Sequence, residues 1–361
     1  MRTGRRTCRS ARPATTWTHD LDESGERDTL RTLAASPFNK LRMCVLPTGQ
    51  MKPPLVPFAG EDPHGLDKTR FDPAFFRHLE ARVRDLCDIG VEADVILFHP
   101  YDGGLRGVED MGRDTDHAYL RYVIARLAAY RNVWWSAANE YDFNRAKNVA
   151  DWDDILRTIQ RLDPYEHLRS IHNGTRMYEV ATLYDFTKPW VTHQSIQHWD
   201  ATLTGSWLLA CPKPVVIDEI SYEGNIGKRW GNVSGPELVD RFWEGMVRGG
   251  YVGHGESMTG GQGRPWIGNG GTLRGESPAR IAFLRTIMEE RRDGTVLRYL
   301  GRRQPAHVTA ELPPGHGYEV ELIDAWNMTI TSVDGVHRDR VRVALPRRPY
   351  LALRMTRVGC R

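Results

Sequence analysis

The chain has 361 residues, 40% hydrophobic and 26% charged, enough for one large domain and a small one in an ordinary globular protein. A net charge of +3 is too near balance to draw it to nucleic acid or a membrane surface, and no apolar run approaches the ~20 residues of a membrane span. The five cysteines (Cys8, Cys44, Cys87, Cys211, Cys360) form no Cys-x-x-Cys pair, so no zinc site or disulfide framework is indicated, and reduced thiols in the cytoplasm are expected.

Arg2, Arg5, Arg6, Arg9 and Arg12 make residues 1–13 read as a disordered basic tail, and no apolar stretch follows that would make it a secretion signal. Strand and helix patterns then alternate. A strand over 14–18 precedes a helix over 26–35, and a strand over 39–46 precedes a helix over 73–89. That helix has Phe75, Phe76, Leu79, Val83 and Leu86 at helical spacing, Asp72 as its cap, Pro73 in its first turn and Gly90 as its stop. Further strands are expected over 91–98, 131–138, 168–172, 190–196, 215–217 and 251–254. The helices between and after them fall over 114–130, 152–162, 178–184, 204–210, 236–248 and 278–291. Eight β-then-α units over residues 14–295 predict a (β/α)8 TIM barrel of the usual ~250 residues. The competing doubly wound sheet would carry a glycine-rich turn after its first strand, which Thr18-His19-Asp20 is not. Beyond about residue 300, strand-length apolar runs separated by Pro313-Pro314-Gly315, Asp334-Gly335 and Pro346 predict a small C-terminal antiparallel β domain over 300–358, of four or five strands, packed on the barrel.

Two peptides carry the chemistry. Val133-Trp134-Trp135-Ser136-Ala137-Ala138-Asn139-Glu140 and Pro214-Val215-Val216-Ile217-Asp218-Glu219 each run a buried-type parallel strand into a carboxylate. Such strand ends are where an α/β barrel builds its active site, and two facing carboxylates are the minimum for cleaving a glycosidic bond. Glu140 and Glu219 are therefore the candidate catalytic residues. Asp218 competes with Glu219, because neighbours on a regular strand point to opposite faces. Arg42 is the candidate cation that keeps Glu219 ionised. Polar groups crowd the other predicted strand ends too: Trp17 and His19; His99, Tyr101 and Asp102; Asn139; His172 and Asn173; His193, Gln197 and His198; Tyr222; His254 and Glu256. The substrate-binding set chosen from these is Trp17, His19, Arg42, His99, Asn139, His193, His198, Tyr222, His254 and Glu256. No metal site and no cofactor are called for. A metal-dependent barrel of the amidohydrolase type would need a His-x-His pair after its first strand, where only His19 stands. That reading and a catalytically inactive, glycan-binding barrel remain the alternatives.

Asn-Glu closing the fourth strand and Glu closing the seventh resemble the retaining barrels of glycoside hydrolase clan A. More closely, Ser36-Pro37-Phe38-Asn39-Lys40-Leu41-Arg42-Met43-Cys44, Asn139-Glu140-Tyr141-Asp142, His193-Gln194-Ser195-Ile196-Gln197-His198 and Asp218-Glu219-Ile220-Ser221-Tyr222-Glu223-Gly224-Asn225 resemble the apiosidase-like, cellulase-like barrels. Ile323-Asp324-Ala325-Trp326-Asn327-Met328-Thr329 and Tyr350-Leu351-Ala352-Leu353-Arg354 resemble the small β domain that follows them. The resemblance covers about residues 14–357. It implies a retaining O-glycosidase acting on a plant- or microbe-derived poly- or oligosaccharide. Glu140 would be the acid/base and Glu219 the nucleophile, with Asn139 on the sugar 2-hydroxyl, Arg42 beside the nucleophile, His193 positioning it, and Trp17 and His19 in the cleft. The family's N-terminal β-sandwich has no counterpart here, so a shortened start is expected.

Overall fold

A computed structural model describes residues 11–13, 16–19, 22–49, 51–174, 182–260, 266 and 268–359. Its elements run in chain order as β1 (Ala11–Pro13), α1 (Glu23–Ala34), β2 (Lys40–Cys44), a hairpin of β3 (Phe58–Glu61) and β4 (Gly65–Phe71), α2 (Pro73–Asp88), β5 (Glu92–Phe98), α3 (Arg113–Leu127), β6 (Val133–Ala138), α4 (Val149–Leu162) and β7 (Arg169–Ser170). There follow β8 (Gln194–Gln197), α5 (Thr204–Ala210), β9 (Val215–Glu219), β10 (Glu223–Gly224), α6 (Gly235–Val247), β11 (Tyr251–Val252), β12 (Glu256–Ser257) and α7 (Ser277–Glu289). The C-terminal part holds β13 (Val296–Gly301), β14 (His307–Glu311), β15 (Tyr318–Asp324), β16 (Thr329–His337), β17 (Arg340–Ala344) and β18 (Leu351–Arg357).

Parallel pairing follows chain order. One sheet runs β1-β2-β5-β6-β7, a second runs β8-β9-β11, and a single bridge between His172 and Ser195 joins them. All the parallel strands therefore point one way, and their C-terminal ends share one side. Helices cover the outer faces: Phe75, Phe76, Leu79, Val83 and Leu86 of α2 are buried in the main core, as their spacing predicts. Asp72 caps α2 by accepting from Ala74 N at 2.8 Å, and Ser234 caps α6. α4 begins earlier than expected because Asn148 and Asp151 form a capping box.

The first strand departs from expectation. It is Ala11–Pro13, inside the predicted tail and upstream of 14–18, while Trp17–His19 form a short 3-10 turn. Residues 1–10 of the tail lie outside the described residues, as does most of the helix expected over 178–184; residues 182–184 are not helical. The hairpin β3–β4 lies between the second predicted strand and its helix, where no element is predicted.

The C-terminal part is richer in strands than expected, with β13-β18-β15-β16 in one antiparallel sheet and β14-β17 in another. Asp334-Gly335, read as a turn, lies within β16, where Gly335 takes φ 91°. Val320, Val341, Val343 and Met355 pack in a core between these two sheets. Ile323, Ala325 and Ala352 join the main core instead, and the Tyr299 ring stacks on Trp243 of α6 at 5.2 Å. Among the described residues, no helix is long and apolar enough to cross a membrane.

Candidate active site

Glu140 is the second residue past the end of β6 and has a left-handed backbone, φ 46° and ψ 52°. A non-glycine residue pays on the order of 1–3 kcal/mol for such strain, which persists only where the surroundings hold it. They do so here. Tyr101 Oη donates to Glu140 Oε2 at 2.8 Å, and Asn139 Nδ2 donates to Tyr101 Oη at 2.5 Å. Gly174 is packed so close that a Cβ added there would lie 2.4 Å from Glu140 Cβ.

Glu219 closes β9, and four groups surround its carboxylate. Arg42 Nη1 lies 3.1 Å from Oε1 and His172 Nε2 3.4 Å from it. Tyr222 Oη donates to Oε2 at 2.7 Å, and Gln197 Nε2 donates to Oε2 at 3.0 Å. The same Gln197 nitrogen donates to Glu140 Oε1, also at 3.0 Å. Both oxygens lie 3.0 Å from that one nitrogen, so they can stand no more than about 6 Å apart.

The two carboxyls are driven in opposite directions. Burial, followed by the charge of Glu219, raises Glu140 to about 7, against the bonds from Gln197 and Tyr101. Burial also pushes Glu219 upward, but the bond and charge of His172, the charge of Arg42 and the Tyr222 hydroxyl outweigh it and bring Glu219 down to about 2. One group thus holds a proton in the range where the other is ionised. Burial first, and then these carboxylates, hold the Tyr101 and Tyr222 hydroxyls well above 10, so both remain donors.

Asp218 does not lose its inward position to Glu219, contrary to the alternation argument. The β8–β9 register moves from Ile196↔Ile217 to Gln197↔Glu219, leaving Asp218 as an extra residue. This bulge lets both side chains reach the interior. Asp218 Oδ1 takes Lys40 Nζ at 2.7 Å, Lys40 also reaches Asp94 Oδ2 at 2.8 Å, and Arg42 Nε lies 3.4 Å from that same oxygen.

Of the sequence-derived substrate set, the structure brings Arg42, Asn139 and Tyr222 to the carboxylate pair. His99 supports it from behind: Nε2 pairs with Leu46 O at 2.8 Å, Nδ1 accepts from Tyr101 N at 3.1 Å, and the ring stacks on Tyr101. His198 holds the end of β9, its backbone N–H donating to Glu219 O at 3.1 Å. The structure gives the rest of that set other partners. Trp17 is buried with Arg82 of α2 over its ring, and His19 stacks on Phe75 of α2, so both pack into the core instead of lining a cleft. Burial and then His99 drive His19 down to about 3. His193 precedes β8 instead of lying near its end; it packs edge-on against Trp134 and pairs with Thr192 Oγ1, while Gln197 and His172 take the place expected for it. His254 and Glu256 gather with Glu223, ligand-type atoms all within 4.8 Å of one another. There the two carboxylates accept backbone N–H groups of Arg274, Gly275, Glu276 and Ser277, and so cap the start of α7. Tyr101, His172 and Gln197 complete the site. Strand-end position marks them in the sequence, but nothing in the residue pattern ranks them above their neighbours.

The sequence profile of the apiosidase-like catalytic domain matches residues 14–255. The chain belongs to the apiosidase-like family. A domain of unknown function, DUF5605, matches residues 285–356 behind the apiosidase-like part. A presumed glycoside hydrolase from Bacteroides vulgatus ATCC 8482 is 36% identical with a TM-score of 0.87, over 98% of this chain and 78% of its own. Two more distant structures share the fold. A glycoside hydrolase family 5 protein of the same bacterium is 14% identical, TM-score 0.71, over 96% and 89% of the two chains. The endo-beta-1,4-mannanase of Thermotoga petrophila is 12% identical, TM-score 0.52, over 94% and 91%. No curated protein matches the chain. These likenesses support glycoside hydrolase activity for this apiosidase-like chain.

Proposed function

We propose that the chain is a retaining O-glycosidase acting on a plant- or microbe-derived poly- or oligosaccharide. The observation that carries this reading is the pair of carboxylates bridged by one Gln197 amide, no more than about 6 Å apart and oppositely titrating. Retaining enzymes hold their carboxyls roughly 5–5.5 Å apart, whereas inverting ones leave about 6.5–9.5 Å for a water. Protonated Glu140 gives its proton to the leaving glycosidic oxygen while ionised Glu219 attacks the anomeric carbon and forms a glycosyl ester. Glu140, now a carboxylate, takes a proton from water; that water attacks the anomeric carbon and Glu219 departs. Asn139 Oδ1 is buried and has no hydrogen-bond partner among the described residues, which suits acceptance of a sugar hydroxyl. Three partly exposed rings support a carbohydrate cleft: Phe143 near Glu140 and Gly174, Trp199 stacked on His198, and Trp230 edge-on to Tyr222. Sugar faces stack on such rings. The ordered parallel strands and the family 5 likeness support closure of the sheet into a (β/α)8 barrel, with this pair at its C-terminal mouth.

Hydrolysis of a panel of aryl glycosides and plant polysaccharides, with NMR of the newly released anomer, tests the proposal. Retention is expected. Glu219→Ala should abolish turnover of every substrate, while Glu140→Ala should spare good leaving groups, which need little protonation. Inversion, or equal losses on good and poor leaving groups, overturns the assignment.

A further inference from the structure

A buried line of side chains runs from Glu219 away from the cleft. His172 Nε2 lies 3.4 Å from Glu219 Oε1, His172 Nδ1 lies 3.2 Å from Ser195 Oγ, and Ser195 Oγ stands 2.5 Å from Asp218 Oδ2. The line crosses neighbouring strands, from Asp218, the bulge residue of β9, through Ser195 in β8 to His172, which is level with Ser195 at the bridge that joins the two sheets. His172, Ser195 and Asp218 are all buried, so no bulk water completes their bonding.

Counting hydrogens along this line decides the state of the ring. A serine hydroxyl has one hydrogen, and an ionised carboxylate can only accept. The short contact with Asp218 therefore commits the Ser195 hydrogen to that side, and Ser195 can only accept from His172. Nδ1 must then carry a hydrogen. With Nδ1–H alone, the bare lone pair of Nε2 would face the Glu219 carboxylate. With Nε2–H alone, the bare Nδ1 would face the serine lone pairs. Only the imidazolium gives Nδ1 its hydrogen toward Ser195 and turns an N–H instead of a lone pair toward Glu219, where the 3.4 Å approach of Nε2 is an ion-pair contact and not an aligned hydrogen bond. The charge count agrees: Lys40 and Arg42 stand against Asp94, Asp218 and Glu219, leaving this buried array one positive charge short.

We propose that His172 is a positioning residue for Glu219 that acts as an imidazolium, taking its proton because Glu219 and Asp218 are ionised on either side of it. Burial and Arg42 lower the proton affinity of the ring, while Glu219 and Asp218 raise it, so the charged ring belongs to the acidic side of a free histidine's range. In that range it anchors the Glu219 oxygen shared with Arg42, leaving Oε2 to Tyr222 and Gln197.

The kinetic consequence rests on Glu219 being the nucleophile; the protonation of His172 does not. The test is 15N NMR of the full chain with labelled histidine between pH 4 and 9, the His172 signals assigned by their loss in His172→Asn and independently by their shift in Ser195→Ala. We expect His172 to protonate on both ring nitrogens while Glu219 is ionised, and its proton affinity to fall at least tenfold in Glu219→Gln. Ser195→Ala should lower it as well, and Ser195→Thr should restore it. In kinetics on the best aryl glycoside, His172→Asn should move the acidic limb of kcat/KM upward with little change in KM. A His172 titration unaltered by Glu219→Gln, or a single neutral tautomer across the whole range, overturns the inference. A wild-type protein that hydrolyses no glycoside would refute the glycosidase reading and leave the NMR result to stand or fall separately.

Discussion

Replacing Glu140 with Gln should stabilise the protein in alkali and leave it unchanged in acid. Glu140 titrates near 7 in the folded chain against an ordinary 4.5, because burial and the Glu219 charge disfavour its ionised form. A carboxyl whose folded value is raised binds more protons folded than unfolded, so stability declines as pH climbs through that interval. Below pH 4.5 the group is protonated in both states and costs nothing. Between 4.5 and 7 the unfolded chain releases its proton first, and stability falls by about 1.4 kcal/mol per pH unit. Above 7 the whole cost persists, about 2–3 kcal/mol once solvent access at the cleft mouth is allowed for. Gln mimics the protonated acid in shape and charge, so the variant escapes this cost. Urea unfolding of wild type and Glu140→Gln at pH 4, 5, 6, 7, 8 and 9 measures it directly. The stability difference should be near zero at pH 4, open between 5 and 7, and reach a plateau of about 2–3 kcal/mol in favour of the variant by pH 8. A difference that stays constant with pH would refute the claim that Glu140 is held protonated by its surroundings. So would a variant less stable than wild type at pH 9.

The other predictions concern the partners of that pair. Arg42→Leu takes from the buried Glu219 its nearest cation and leaves Asp94 to Lys40 alone; unfolding should show a loss of about 3–5 kcal/mol, and the acidic limb of kcat/KM should move upward as Glu219 becomes harder to ionise. Gly174→Ala forces a methyl group into Glu140, so turnover should fall by an order of magnitude or more while urea unfolding changes by far less than for a core truncation; unchanged kinetics would mean that Glu140 has other room. Dialysis against a chelator should alter neither activity nor melting, because backbone N–H groups already occupy the oxygens of Glu223 and Glu256; a loss restored by a divalent cation would show that cluster to be a metal site. Deleting the chain after about residue 300 strips Ile323, Ala325 and Ala352 from the main core and takes β18 from β13, whose Tyr299 stacks on Trp243, and should give an insoluble or heat-sensitive remainder. A truncated protein that melts as before and loses only polysaccharide binding would make the C-terminal part a binding module.

Local signals in the chain carried far. The apolar spacing of Phe75 to Leu86 with Asp72 and Pro73 placed α2, Ser234 placed the start of α6, and the apolar runs into Glu140 and Glu219 placed two strand ends whose carboxylates meet. Each of these depends on residues within a turn or two of one another, which is the range over which periodicity and capping act. The misplaced features depend on distant partners. β1 is a strand because it pairs with β2, in a segment whose arginines read as solvated tail. Trp17 and His19 look like cleft residues beside a strand end, yet α2 packs over them. The alternation rule assigned Asp218 and Glu219 to opposite faces, and a bulge set by pairing with β8 turned both inward. Gln197 outranks His193 because the register of β8 puts it level with Glu219, and a one-residue shift in register changes which side chain faces the interior. Residue types and strand ends are written locally. Which of them converge within hydrogen-bond reach depends on strand order, register and bulges, and those follow from contacts between segments tens to hundreds of residues apart.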